Sequence, residues 1–251
     1  MKIAAQLYTI RDFMQTPADM EASFKKLHHI GYEAVQLSAG GPIDPKELRK
    51  IADENQIKLL ATHISFDDMK NNFDKVVEEH KILGCEYAGI GGLPQDYRNA
   101  EGFVEFAKEY TEIAKKFRAV GLGTTYHNHH FEFEKFENGK TGMDLLLENS
   151  EEFLFLIDTY WIQAGGGDVV DWIYKLKDRI EIVHFKDMAY GNGGQIMKEI
   201  FEGNLNWKDI IKACEDIGVT YAIVEQDNCN GRDPFDSLKI SYDNLKKAGL
   251  E

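Results

Sequence analysis

The chain has 251 residues, near the usual length of one (β/α)₈ barrel and long enough to bury a large core without disulfide staples. Hydrophobic residues make up 43% and charged residues 29%, ordinary values for a soluble globular protein. Acidic residues outnumber basic ones by 43 to 29, and the resulting net charge of −14 repels a phosphate backbone, which sets nucleic acid aside as a partner.

The opening run, Lys2–Leu7, is too short for the apolar core of a signal peptide and is expected to be a strand. Further strand-like runs follow at Ala34–Leu37, Lys58–His63, Tyr87–Ile90, Gly123–His129, Phe153–Asp158, Ile180–Phe185 and Tyr221–Glu225. They begin roughly 30 residues apart, the size of one βα unit. Between them lie helical patterns. Pro17–Ile30 carries Met20, Phe24, Leu27 and Ile30 at helical spacing, and Glu101–Val120 carries Phe103, Phe106, Tyr110 and Ile113. Gly31, Gly84, Gly121 and Gly218 stand where helices should end. Eight strand–helix repeats without a Pro/Gly/Ser-rich linker predict an α/β protein, a single (β/α)₈ TIM barrel spanning residues 1–251.

Other classes fall away on specific grounds. No GxGxxG follows the first strand, so the usual dinucleotide fold is excluded. Gly91-Gly92 and Gly165-Gly166-Gly167 lack the Lys-Ser/Thr of a P-loop and are expected to be tight βα turns. Cys85, Cys214 and Cys229 are odd in number and show no CxxC spacing, so neither disulfides nor a thiolate metal site is expected, and a reducing cytoplasm is the expected compartment. No stretch of about 18 apolar residues exists, and no membrane span is expected.

A (β/α)₈ barrel carries its chemistry at the C-terminal ends of its strands. Here the hydrophobic runs end in polar groups. The third ends in His63, the fifth in His127-Asn128-His129-His130 with Glu132 close behind, the sixth in Asp158, the seventh in His184 with Lys186, and the eighth in Glu225-Gln226-Asp227. One Asp after a strand is commonly a helix cap, and one His is commonly structural. Three consecutive late strands ending in Asp, His and Glu are different, because barrel closure would bring those ends together. Carboxylates converging there are destabilising unless a cation neutralises them, and a mixed nitrogen and oxygen set suits one divalent ion, Mn²⁺, Mg²⁺, Co²⁺ or Zn²⁺.

These stretches resemble the xylose isomerase-like TIM barrel superfamily, in particular its sugar phosphate isomerase/epimerase group. The most specific are Tyr126-His127-Asn128-His129 with Phe131-Glu132-Phe133, Ile157-Asp158-Thr159-Tyr160-Trp161 with Gly165-Gly166, Val183-His184-Phe185-Lys186-Asp187, and Ile223-Val224-Glu225-Gln226-Asp227. The resemblance implies metal ligands from strands five to eight, with Asp158, His184 and Glu225 matching the last three. Strand five departs from the family's Glu-Asn-His. Glu132 keeps the residue type and is slightly preferred as the fourth ligand, His127 keeps the position, and His129 is the outside candidate. A second departure puts Trp161 where many epimerases have His.

The implied activity is that of a metal-dependent isomerase or epimerase in carbohydrate metabolism, acting on a keto-sugar or polyol-derived ketone through an enediolate. Glu225 would move one proton and Glu132 or His127 the other, with His63 and Lys186 as further catalytic candidates and Trp161, His129 and Gln6 as substrate contacts. Gln226 and Asp227 would act as outer partners, and Lys186 would either orient substrate or pair with Asp187. The irregular fifth strand also admits a lyase, inosose dehydratase-like or glycoside-cleaving, and a sugar-binding barrel that is non-catalytic or needs a partner chain. An AP endonuclease uses the same barrel, but Trp161 stands where a further His ligand would be, and the net charge opposes DNA. The low positive charge beyond strand seven favours an unphosphorylated substrate. The oligomeric state stays open, a homodimer being one arrangement.

Overall fold

The computed structural model describes residues 1–251. The first half of the chain forms β1 (Lys2–Gln6), α1 (Pro17–Ile30), β2 (Ala34–Leu37), α2 (Pro45–Glu54), β3 (Lys58–Ile64), α3 (Phe66–Asn71), α4 (Phe73–Leu83) and β4 (Tyr87–Ile90). The second half continues with α5 (Ala100–Ala119), β5 (Gly123–His127), α6 (Gly142–Glu148), β6 (Leu154–Leu156), α7 (Thr159–Ala164), α8 (Val169–Lys175) and β7 (Ile182–Phe185). A hairpin, β8 (Asp187–Gly191) with β9 (Gly194–Lys198), then precedes α9 (Trp207–Ile217), β10 (Tyr221–Val224) and α10 (Pro234–Lys247). None of these helices is long and apolar enough to cross a membrane.

Local chemistry explains the boundaries. Thr16 and Asp19 form a reciprocal capping box at the start of α1, with Pro17 in its first turn. Asp44 and Asp233 cap α2 and α10 more simply, their side chains accepting first-turn N–H groups, and each is followed by Pro. Gly84 and Gly218 end α4 and α9 in the left-handed region, with φ of 69° and 82°, as the sequence predicts. The glycines at 165–167 are a departure. They terminate α7 rather than leading from a strand into a helix, and a Cβ on Gly165 would press on Phe133 and the His130 carbonyl. The β8–β9 hairpin is a second departure, turning at Asn192-Gly193.

Eight parallel strands lie in the order β6-β5-β4-β3-β2-β1-β10-β7, a near-closed barrel with helices around it, as expected. Its seam lies between β6 and β7, where a single parallel bridge joins Asp158 to His184 and the His184 N–H donates to the Ile157 carbonyl at 2.8 Å. Thr159 Oγ1 crosses the same seam, donating to the Lys186 carbonyl at 2.8 Å and accepting the Lys186 N–H at 2.9 Å.

Side chains alternate along each strand between two cores. Ala4, Ala34, Leu60, Ala61, Leu156, Ile182 and Ile223 fill the barrel interior, where small residues suit the narrow space. Ile3, Val35, Tyr126, Phe155, Val183, Phe185, Ala222 and Val224 face the helices in the larger core. The phase carries on to the strand ends. Leu156 points inward and so does Asp158, Ile182 sets His184, Ile223 sets Glu225, and the outward Tyr126 leaves His127 inward.

Beyond β5 the chain makes one 3-10 turn, Phe131–Phe133. Glu132 is fully buried there, accepting the Tyr126 hydroxyl at 2.7 Å and the His129 N–H at 2.8 Å. The preference for Glu132 as a metal ligand is corrected by this geometry: its carboxylate is turned to the outward side of β5 by Tyr126 and stands outside the group formed by Asp158, His184 and Glu225.

Two consequences can be measured. Phe106 is fully buried against Phe66 and Tyr110, with ring centroids at 4.9 and 5.4 Å, so Phe106→Ala is expected to cost about 3–5 kcal/mol, read as a lower denaturation midpoint at unchanged slope. Burial pushes the Glu132 carboxyl up to about 7 despite the two hydrogen bonds it accepts. The native state thus keeps a proton that the unfolded chain has released, and this stabilisation, full below the ordinary carboxylate range, is lost as pH rises through about 7. Glu132→Gln removes that titration, so its unfolding free energy should fall less than the parent's between pH 5 and pH 8. Parallel pH profiles would contradict the shift.

Candidate metal centre

The inward phase of β5, β6, β7 and β10 brings His127, Asp158, His184 and Glu225 together, all buried, with one potential ligand atom from each within 4.8 Å of the others. This is a group able to hold a metal ion. Asp158 divides its oxygens. Oδ1 caps α7 by accepting the Trp161 N–H at 3.0 Å, while Oδ2 lies 3.2 Å from His127 Nε2. The Asp158 backbone is itself fixed by donating its N–H to Asn128 Oδ1 at 3.0 Å.

Both imidazoles are oriented from behind. His184 Nε2 lies 2.6 Å from Gln36 Oε1 on β2, and His127 Nδ1 lies 3.1 Å from the Gly91 carbonyl. Each outer partner is an acceptor, so those nitrogens are assigned the proton. The inner nitrogens then carry lone pairs, and they face carboxylate oxygens: His184 Nδ1 at 3.0 Å from Glu225 Oε2, and His127 Nε2 at 3.2 Å from Asp158 Oδ2. Such contacts call for a positive charge between ring and carboxylate, either a second proton on the ring or a bound cation. Outer hydrogen bonds of this kind fix the tautomer of metal-binding histidines, and the donor set fits a divalent ion.

The electrostatics follow from burial and close charge. Burial lowers the His184 pKa by more than Glu225 restores, whereas for His127 burial is outweighed by Asp158 and Glu225, and its pKa is raised. Burial alone would raise both carboxyls, but Lys186 and the histidines hold Asp158 below, and Glu225 well below, the ordinary range. Lys186 is itself buried. Its Nζ stands 2.7 Å from both Asp227 oxygens, 3.4 Å from Glu225 and 3.6 Å from Asp158, and these neighbours overcome burial to raise its pKa. Burial and Glu225 push Asp227 up to about 6.

Lys186 therefore pairs with Asp227, and the alternative of a pair with Asp187 does not form. Asp187 instead accepts the N–H groups of Met188, Gly203 and Leu205 and the Trp207 indole N–H, holding the hairpin and the start of α9 together.

A cavity of about 280 Å³ opens over the group, bounded by Tyr8, Ser38, His63, His129, Trp161 and Asp227 among others. His63 sits with its ring centroid 5.4 Å from His127 and 5.7 Å from His184, its pKa driven well down by burial and by those histidines. His129 stacks on Phe131 at 5.6 Å, and burial with His127 lowers its pKa to about 3. Trp161 Nε1, His63 Nε2 and His129 Nδ1 are buried without a hydrogen-bond partner. Gln6 lies outside this wall. Its Oε1 accepts the Tyr8 N–H at 3.2 Å, and its Nε2 is unpaired inside the barrel. Gln226 donates its backbone N–H to Thr9 Oγ1 at 3.0 Å and does not border the cavity.

Sequence reasoning missed Gln36, Tyr8 and Ser38. Gln36 had a signal, being a polar residue in the inward phase of a buried strand, while Tyr8, in the 3-10 segment after β1, and Ser38, in the loop after β2, had none. A larger cleft of about 530 Å³, bordered by Glu86, Arg118, Arg179 and Glu181, lies at the N-terminal end of the strands, the end of such barrels that serves stability.

Comparison with known proteins agrees with this architecture. No curated protein matches the sequence. The fold is similar to a crystal structure of a sugar phosphate isomerase/epimerase from Parabacteroides distasonis, with TM-score 0.83 and 22% identity over 99% of this chain and 98% of that one. It is also similar to L-ribulose 3-epimerase, with TM-score 0.75 and 14% identity over 98% of this chain and 94% of that one. A third similar structure is the IOLI protein with a bound zinc atom, at TM-score 0.72 and 14% identity over 98% of this chain and 97% of that one. At these identities the likeness shows the fold. Residues 24–248 match the family model directly, and the chain belongs to the xylose isomerase-like TIM barrel family.

Proposed function

We propose that the protein is a divalent-metal-dependent isomerase or epimerase acting on a keto-sugar or polyol-derived ketone through an enediolate. The observation that carries this reading is the buried group of His127, Asp158, His184 and Glu225 at the base of the cavity, with one potential ligand atom from each within 4.8 Å of the others. His127, Asp158, His184 and Glu225 would hold the ion. When bound, the ion supplies Lewis-acid polarisation of adjacent carbonyl and hydroxyl oxygens and stabilises enediolate charge. Zinc in the similar IOLI structure and the activity of the similar epimerase are consistent with that chemistry.

The remaining work falls to side chains. Glu225 Oε2 takes the contacts from His184 and Lys186, and Oε1 accepts no hydrogen bond, so Oε1 is the group to accept a carbon-bound proton. The Lys186 ammonium holds Glu225 ionised at neutral pH and opposes negative charge that develops on substrate oxygens. Trp161 offers a face for a sugar ring, and His63, from β3 on the cavity border, is the candidate for the second transfer.

One observation favours a lyase as the second reading. With His127 in the strand-five place, Glu225 is the one carboxylate of the metal group not tied to a helix cap, and Glu132 is turned away. A single base suffices for β-elimination, whereas epimerisation needs a second proton carrier on the other face.

Metal-stripped protein should bind Mn²⁺, Co²⁺ or Zn²⁺ at one site by calorimetry, and His184→Ala should lose that binding. Metal-loaded protein in D₂O should exchange a carbon-bound proton of D-fructose, D-tagatose, D-ribulose or an inosose, followed by NMR. Glu225→Gln should weaken metal binding and, compared at full metal occupancy, lose roughly 10²–10⁴-fold in exchange. An epimeric product selects the first reading and an unsaturated, water-depleted product the second. Absence of exchange with every one of these ketones, at full metal occupancy, would overturn both.

A further inference from the structure

We infer that the cavity takes an uncharged polyhydroxy ketone, either a free ketose or a cyclic polyol ketone, and rejects phosphate esters. This rests on the ketone reading above and narrows it.

The one ammonium bordering the cavity is already committed. Lys186 Nζ is held at 2.7 Å by both oxygens of Asp227, and Glu225 and Asp158 complete its surroundings at 3.4 and 3.6 Å. These three carboxylates against one ammonium leave two negative charges, which a divalent ion brings to zero. Nothing positive is left over for a phosphate dianion. An ester entering the cavity would meet Glu225 and Asp227 across its wall, and like charges brought together at a binding surface cost several kcal/mol. Arg11 stands nearby but is engaged, donating to the carbonyls of Tyr8 at 2.8 Å and Asp227 at 3.2 Å.

The loop after the seventh barrel strand gives an independent reason. Barrels of this kind commonly hold phosphate on backbone N–H groups of the loops after strands seven and eight. In this chain the N–H groups of Met188, Gly203 and Leu205 converge, with the Trp207 indole, on an anion, and that anion is the carboxylate of Asp187 at 2.6–3.3 Å. The approach is so close that a Cβ on Gly203 would lie 2.3 Å from Asp187 Oδ1. The donors that a phosphate would use are filled by the chain itself.

What the cavity does offer is neutral. Tyr8 and Ser38 border it with hydroxyl-bearing side chains, beside the rings of His63, His129 and Trp161. Hydroxyls arrayed on a ring or short chain exchange hydrogen bonds with such groups and bring no charge that needs neutralising.

The test compares matched pairs at constant ionic strength, D-fructose with D-fructose 6-phosphate and D-ribulose with D-ribulose 5-phosphate, by calorimetry on the Mn²⁺-loaded protein. Each ester should bind at least about tenfold more weakly than its free sugar, and Asp227→Asn, which releases Lys186, should narrow that gap. An ester that binds as tightly as its free sugar overturns the inference, as does a gap that Asp227→Asn leaves unchanged. If neither member of any pair binds, the ketone reading itself fails, and inorganic phosphate then decides the charge argument separately on metal-free protein. Thermal stabilisation of the parent by millimolar phosphate over chloride would overturn it. No stabilisation of the parent, with stabilisation of Asp187→Ala whose backbone donors are freed, would uphold it.

Discussion

The barrel closes on the residues of its own candidate site. Between β6 and β7 there is no ladder, only the Asp158–His184 bridge and the Thr159 hydroxyl spanning to the Lys186 backbone. Asp158 carries three duties at once: it closes the seam, caps α7 through Oδ1, and turns Oδ2 to the centre. A buried carboxylate with that many constraints has no freedom to swing away from its neighbours. The arrangement is therefore pre-set by the backbone, which is what a metal site needs if its ligands are to be in place before the ion arrives. The same constraint makes the site a liability. Two carboxylates pressed together out of water repel, and the seam has few hydrogen bonds with which to resist.

Lys186 is the fold's internal answer to that repulsion. A lysine with about 1% of its surface exposed is rare, and this one persists because three carboxylates surround its ammonium. Its backbone is locked across the seam by Thr159, so the charge is placed by the fold rather than by a flexible stem. Asp227 completes the set from the loop after β10, tying the last barrel strand to the seventh. The ammonium neutralises one charge, and the remaining two correspond to a divalent ion.

Most of the frame was legible because a (β/α)₈ barrel writes its topology into spacing: eight β-rich runs, helical patterns between them, and glycines such as Gly84 and Gly218 past the helix ends. Asp158, His184 and Glu225 were legible for a related reason, being the first polar residues after apolar runs. The fifth strand misled because residue type was weighed above phase. Tyr126 is a large apolar residue that belongs with the outer core, which fixes His127 inward, and five further residues carry Glu132 round a 3-10 turn onto the Tyr126 side. Alternation alone would have decided it. Gln36 was readable by the same rule, standing two residues after the inward Ala34. The β8–β9 hairpin was hidden by its weak alternation, and Tyr8 and Ser38 reach the cavity only through the three-dimensional course of loops.

The exchange of a carboxylate for His127 on strand five alters the charge of the whole group, and the other residues make sense in that light. With a carboxylate there, four acids would surround Lys186 and a divalent ion would leave the group negative. With an imidazole the count closes at zero, and the positive end of any substrate dipole gains nothing from the metal group as a whole. Recognition must then come from local hydrogen bonds and ring contacts, and Tyr8, Ser38, His63, His129 and Trp161 border the cavity where these would be made. Glu132 serves the same end from outside, because its carboxylate fixes the His129 N–H and so the start of the turn that carries the His129 and Phe131 rings. The residue that sequence chemistry nominated as a ligand thus stands one layer further out, behind the cavity wall that His129 forms.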